Sequence, residues 1–285
     1  MMNNASRIRL ITFDAYNTLF KPKGSLSAQY AHEASKVGLQ VAPESITKHF
    51  GLAYKKQLLR SPFYGVGQGM TSEEWWKELV YDTFLEAGVP KQDLDSKFSS
   101  LFPSLYTRFM TKEGYTIFPD VVSTLDELQR RGFKMGVISN SDERLLSVME
   151  SLNLEKYFDF ILPSCLAGYE KPKVEIFQKA IQLTGEVIHT DEALHVGDDV
   201  EKDYFGALNA NWNSVLLKRC KLSYEDCSPS LLAPGSSRRS PRNIMSLHDL
   251  YPLACHIQPS KEEEEQHLHR QQNETQDLHV ASDHQ

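Results

Sequence analysis

The chain has 285 residues, 40% of them hydrophobic, and a formal charge of −7. From residue 258 to the end seven acids face two bases, so the body is nearly neutral and gives no electrostatic case for nucleic acid or an acidic membrane surface. Four cysteines without a Cys-x-x-Cys pair are poor material for a zinc site or a disulfide framework, and no run approaches the ~20 apolar residues of a membrane span.

In chain order, the residues from Ile8 to Phe13 form a compact β-type run that ends at Asp14. Between Lys21 and Tyr115 the pattern turns helical, over 27–37, 44–59, 71–87 and 93–110, with Gly and Pro breaks and no clear β run. This reads as a helical insertion over 21–112, an ordinary size for a small domain, placed as a lid over whatever the first strand delivers. Further β-type runs follow at 133–138, 158–162, 193–196 and 213–217, separated by helical segments at 120–131, 173–183 and 203–209. Strands alternating with helices imply an α/β core, 1–20 plus 113–257, with a doubly wound parallel sheet and ligands at the carboxyl ends of its strands. Residues 245–253 are expected to return as a last short helix. Beyond 257 the chain is polar and without aromatics, the composition of a disordered tail over 258–285. Reduced thiols and a start without an apolar block fit a cytoplasmic or nuclear setting.

Four polar clusters sit at strand ends or just after them: Asp14 to Thr18, Ser139-Asn140, Lys171-Pro172, and Gly197-Asp198-Asp199 with Asp203. Together they supply a carboxylate nucleophile, hydroxyls, a lysine and a set of acids. Asp14 at a strand end can attack phosphorus or carbon and form a covalent intermediate. Taken singly, Thr18 and Ser139 are turn or cap residues, and 139–142 reads equally as a helix start. Three aspartates within 198–203 repel one another unless a cation neutralises them, and Mg²⁺ suits oxygen ligands. Asp199 alone has a plainer reading, an acid favoured by a helix dipole. His195, inside an apolar strand, reads as a packed core residue, and adjacent Trp75 and Trp76 as one core and one interface residue.

The ordered motifs resemble the haloacid dehalogenase superfamily, with a Rossmann-like core and a helical cap inserted after the first strand, over about Ile8 to Leu217. The run 69–76 in the cap, with Gly168 to Pro172, is similar to the subgroup called haloacid-dehalogenase-like hydrolase domain-containing protein 3 and its fungal relatives. The resemblance implies a catalytic set of Asp14, Thr18, Ser139, Asn140 and Lys171. Thr18 and Ser139 would bind substrate oxygens or hold Asp14, and Lys171 would offset negative charge. It also implies a Mg²⁺ site on Asp14, Asp198 and the Tyr16 carbonyl, with Asp199 or Asp203 behind or as an alternative ligand. The implied activity is hydrolysis of a small phosphorylated metabolite, with neither nucleic acid nor membrane as partner and the oligomeric state open.

Tyr16 departs from the superfamily's phosphatases, which place a second Asp there for proton transfer. Tyr at this position is characteristic of its metal-free 2-haloacid dehalogenases. Those enzymes grip their substrate with an arginine early in the cap, whereas here none lies between Arg9 and Arg60, and Lys21 and Lys23 are weaker matches to a carboxylate. The full acidic set favours the phosphatase reading. A dehalogenase-type hydrolase and a regulatory anion-binding protein without turnover stand as alternatives.

Overall fold

The computed structural model describes residues 8–219 and 243–250, so the polar tail expected over 258–285 lies outside the described residues. Strand β1 (Leu10–Phe13) turns sharply into β2 (Phe20–Pro22), and four helices follow: α1 (Leu26–Lys36), α2 (Pro43–Arg60), α3 (Ser72–Glu86) and α4 (Lys91–Arg108). Strand β3 (Tyr115–Ile117) brings the chain back. Then come α5 (Val121–Arg130), β4 (Lys134–Ser139), α6 (Arg144–Ser151), β5 (Phe160–Pro163), α7 (Ser164–Ala167), α8 (Val174–Leu183) and β6 (Ala193–Gly197). A π-helical turn (Val200–Phe205), α9 (Gly206–Asn209), β7 (Asn213–Leu217) and β8 (Asn243–Ile244) complete the described chain.

Six strands pair in parallel in the order β5-β4-β1-β6-β7-β8. Every residue of β1 is buried, because helices cover both faces of its sheet and no polar alternation is needed. Leu10, Ile138 and Phe177 belong to a core on one face, while Ile11, Phe13 and Val137 join a larger cluster that runs on into the helical insertion. The chain steps from β1 to β4 and β5 on one side, then crosses to β6 on the other. That reversal opens a crevice at the carboxyl end of β1, the usual ligand position in such sheets.

The four helices start and stop where local chemistry dictates. Thr71 and Glu74 close a reciprocal capping box on α3, and the Ser25 hydroxyl accepts from the Ala28 amide at the start of α1. The insertion is not purely helical at its ends. Strands β2 and β3 pair antiparallel, with Lys21 opposite Thr116, and carry the chain out and back. Strands of three residues are too short to show alternation, which is why no β run was expected there. This ribbon is fastened from behind. The Arg219 guanidinium pairs with Asp120 at 2.8 Å, donates to the Thr18 carbonyl at 2.6 Å and stacks on the Phe118 ring. Asp120 also accepts from the Ser246 hydroxyl and the Leu247 amide. Where a helix over 245–253 was expected, the described part is a single 3₁₀ turn, Leu247–Asp249, held by these bonds. The helix expected over 203–209 begins earlier, in the π turn, because the Asp199 carboxylate accepts from the Glu201 and Lys202 amides.

Candidate active site

Asp14 leaves the end of β1 and is 8% exposed. Lys171 reaches it from the loop before α8. Its ammonium donates to Asp14 Oδ1 at 2.7 Å, to Asp203 Oδ1 at 2.6 Å and to the Ile138 carbonyl at 2.7 Å. The Asn140 side chain clamps the Lys171 backbone in both directions, its amide donating to the Lys171 carbonyl and its oxygen accepting the Lys171 N–H, each at 2.8 Å. Asn140 therefore positions Lys171, since its amide is engaged there rather than facing a substrate.

Asp203 is the hub beneath the site. Its Oδ1 accepts from Lys171 and from His195 Nε2 at 3.2 Å, and its Oδ2 accepts the Asp199 amide at 2.9 Å. Because Nε2 faces this carboxylate, Nδ1 is left to accept the Thr12 hydroxyl at 2.8 Å. Burial holds the His195 pKa below its ordinary value, so the ring is neutral. This is the core role expected for His195, with the added task of orienting Asp203. Gly197 makes the arrangement possible. A Cβ there would lie 2.2 Å from the Asp203 carboxyl, so only glycine lets that acid tuck under the end of β6.

Carboxylate oxygens of Asp14, Asp198 and Asp203 all lie within 4.8 Å of one another. Burial pushes the Asp14 pKa up to about 7, with Lys171 opposing and Asp203 adding to the rise. Burial and Asp203 push Asp198 up to about 6. Asp203 is lowered, because Lys171 and His195 outweigh its burial. Lys171 stays charged: burial works against the ammonium, but Asp14 and Asp203 outweigh it and hold its pKa above the ordinary value. The Tyr16 carbonyl accepts no hydrogen bond among the described residues.

The side chains of the other sequence-expected residues make none of these contacts. Asp199, expected near the metal, is outside the group: its carboxylate caps the π turn and pairs with Lys202. Thr18 is fully buried and its hydroxyl has no partner among the described residues, so it neither bonds to Asp14 nor reaches solvent. Ser139 closes β4, one strand over from Asp14, and is 1% exposed.

Beside this cluster, beneath the helical insertion, lies a cavity of about 300 Å³. Tyr16, two residues after Asp14, and Asn140 and Ser141, just after Ser139, line it together with Tyr54, Trp76 and Tyr106. The Tyr16 ring packs edge-on against Phe20 and Tyr115, and burial raises its phenol pKa further above the ordinary value. Trp75 is wholly buried, while Trp76 is half-buried and donates to Asp142 across the cleft, as adjacent tryptophans on a helix predict. Sequence reasoning missed Arg144. The first turn of α6 is a poor place for a cation because of the helix dipole, and that misfit was the available signal. The Asp142 carboxylate answers it, accepting from Arg144 Nε at 2.9 Å and Nη2 at 2.8 Å. The two hold the start of α6 two residues later than 139–142 suggests.

Three comparisons bear on this geometry. The sequence model of the haloacid dehalogenase-like hydrolases matches residues 8–211. "Haloacid dehalogenase-like hydrolase domain-containing protein 3" of Xenopus laevis is 37% identical over 210 residues, 74% of this chain and 84% of that protein. In fold, the chain resembles a 2-haloacid dehalogenase from Pseudomonas syringae pv. tomato, with TM-score 0.58, 21% identity, and 87% and 99% of the two chains covered. It also resembles a phosphatase from Thermococcus onnurineus, with TM-score 0.52, 19% identity, and 86% and 97% covered. The parallel sheet, the inserted helices and the matched motifs agree, and this chain belongs to the haloacid dehalogenase-like hydrolase family.

Proposed function

We propose that the chain is a Mg²⁺-dependent hydrolase of small phosphate monoesters that works through an aspartyl-phosphate on Asp14. The observation that carries this reading is the meeting of three carboxylates within 4.8 Å against a single ammonium. Two of the three have pKa values driven upward, which a divalent cation with oxygen ligands would relieve. Asp14, Asp198 and the Tyr16 carbonyl fit such an ion, with Asp203 held behind them by Lys171 and His195. When bound, Mg²⁺ supplies charge stabilisation for the phosphoryl oxygens.

The protein's own groups account for the rest. Lys171 occupies Asp14 Oδ1 and leaves Oδ2 to attack phosphorus, while its charge offsets that of the incoming anion. The new Asp14–phosphorus bond forms as the ester bond breaks. Water then attacks phosphorus and frees Asp14. Tyr16 is no general base at neutral pH, because its pKa lies above that of an ordinary phenol. General acid–base help, typically worth roughly 10²–10⁴-fold, is thus missing at this position, and esters with good leaving groups are favoured. The partner is a small phosphorylated metabolite rather than nucleic acid or membrane, met in the cytoplasm or nucleus.

Metal-free dehalogenation is the second reading, and Tyr16 is what favours it. Against it stands Arg144, the one arginine lining the cavity among the described residues, which is already engaged by Asp142. The structural neighbours carry both kinds of name and do not decide between them. Purified protein with and without Mg²⁺ is assayed for phosphate release from phosphate monoesters and for halide release from 2-haloacids. Mg²⁺-dependent phosphate release lost in Asp14→Asn and Asp198→Asn supports the proposal. Metal-independent halide release rejects it, and tight anion binding without either product favours a regulatory protein.

A further inference from the structure

We infer that the ring-lined cavity receives the leaving group, and that the substrate is the phosphate monoester of a flat aromatic hydroxyl compound that also carries a neutral hydrogen-bond acceptor. This rests on the phosphomonoester reading above and narrows it. The loops that carry Asp14 and Ser139 also line the cavity: Tyr16 follows Asp14 by two residues, and Asn140 and Ser141 are the two residues after Ser139. At about 300 Å³ it holds roughly twice the ~150 Å³ that takes up a benzene-sized ligand. Its walls are mostly rings, which favour a planar guest stacked or met edge-on.

One wall carries a prepared donor. Arg144 is 8% exposed, and its guanidinium lies 4.2 Å from the Trp76 ring centroid and 4.9 Å from that of Tyr106. Nε and Nη2 are held by Asp142, which Trp76 also anchors, while Nη1 makes no hydrogen bond among the described residues. The Tyr30 hydroxyl, on a residue only 2% exposed, likewise has no partner among them and faces the same space. Neither atom is among the fully buried polar atoms without a partner, so both are open to the cavity, where an acceptor on the ligand can replace water. Asp142 already balances the charge of Arg144, and a carbonyl or ether oxygen therefore fits this edge better than a second anion.

The chemistry agrees with the shape. With Tyr16 in place of an acid, the leaving oxygen must carry its own charge as the phosphorus–oxygen bond breaks. An aryl oxide, whose conjugate acid has a pKa of about 10, does so and takes its proton from water. The bond from Asp14 to phosphorus forms in the same step, and hydrolysis of that bond returns the enzyme and inorganic phosphate.

The test uses the full chain, two esters (4-acetylphenyl phosphate and cyclohexyl phosphate) and three free alcohols (4-hydroxyacetophenone, phenol and cyclohexanol). Binding is read by calorimetry and tryptophan fluorescence. The expected result is that 4-hydroxyacetophenone binds wild type and Asp14→Asn equally, and at least about tenfold more tightly than cyclohexanol. The paired change Asp142→Asn with Arg144→Gln loses about tenfold for 4-hydroxyacetophenone but little for phenol, and Tyr30→Phe, which leaves the packing intact, loses about threefold. Equal binding of the aromatic and aliphatic alcohols overturns the inference, as does unchanged affinity in Tyr30→Phe together with the paired variant or, should that variant not fold, in Tyr30→Phe alone. If the phenols bind so but neither ester is hydrolysed, the cavity assignment stands and the phosphatase reading falls. If both esters turn over equally and no phenol binds, the reverse holds.

Discussion

Lys171 Nζ lies 2.7 Å from Asp14 Oδ1, joining residues 157 positions apart in the chain, and its second carboxylate contact is Asp203. Both acids are buried, so the ammonium is what allows them to be charged together. Replacing Lys171 by Met removes one partner of a buried network and leaves two uncompensated carboxylates, a change that typically costs about 3–5 kcal/mol. Urea unfolding at pH 8, where both acids would be ionised, should show that loss. An unchanged midpoint would mean that Asp14 and Asp203 do not depend on Lys171.

Gly197→Ala should separate folding from catalysis. The added methyl would meet the Asp203 carboxyl at 2.2 Å and push it out from under β6, away from Lys171 and His195. The strand itself tolerates alanine. A displacement of about 1 Å in an active site can cost 10²-fold in rate, so phosphate release should fall by roughly that factor while the circular dichroism spectrum is preserved. Retention of full activity would show that Asp203 does not hold the site in register.

The contrast between Gly197 and Arg144 explains what the sequence made legible. The strands that build the sheet are short continuous apolar runs, and the acids follow them within a few residues, so Asp14, Asp198 and Asp203 could be expected together from local pattern and from resemblance. The reason for Gly197 lies in a carboxyl six residues later that folds back beneath it, which spacing alone does not reveal. Arg144 is harder still. Its partners come from the insertion through Trp76 and Tyr106, and from Asp142 across a single turn. Helical periodicity locates the buried stripe of α3 and α4 but not which aromatic side chains face the cleft. The β2–β3 ribbon escaped because three residues carry no period, and Asp199 was drawn toward the metal because a helix-capping acid and a ligand look alike in sequence.

Tyr16→Asp tests the missing proton transfer. In wild type the Tyr16 ring is packed against Phe20 and Tyr115, and its phenol cannot act as a base near pH 7. A carboxylate at this position restores an acid–base group, while the main-chain carbonyl is retained. Mg²⁺-dependent hydrolysis of an alkyl ester such as cyclohexyl phosphate should rise by up to roughly 10²-fold, and that of an aryl ester much less, because an aryl oxide leaves without help. Tyr16→Phe should leave the rates on both esters close to wild type. Equal gains for both ester types would mean that the ring obstructs access rather than that proton transfer limits turnover.

The insertion carries its own acid-sensitive fastening in Glu33 of α1. Its side chain is 2% exposed, and its carboxylate receives Lys36 and Arg108, each at 2.8 Å, and the Ser104 hydroxyl from α4. Burial alone would raise its pKa, but these donors outweigh it and bring it from 4.5 to about 2. A depressed folded-state pKa means the stabilisation is complete above the unfolded value of 4.5 and is lost as pH falls toward 2. At pH 7 it amounts to at most about 3 kcal/mol, since each tenfold change in proton affinity is worth about 1.4 kcal/mol. Glu33→Gln should therefore lower the urea midpoint clearly at pH 7, and the gap to wild type should narrow steadily as the pH falls from 4.5 toward 2. A gap that stays constant over that range would show that α1 and α4 are joined by packing rather than by this charge.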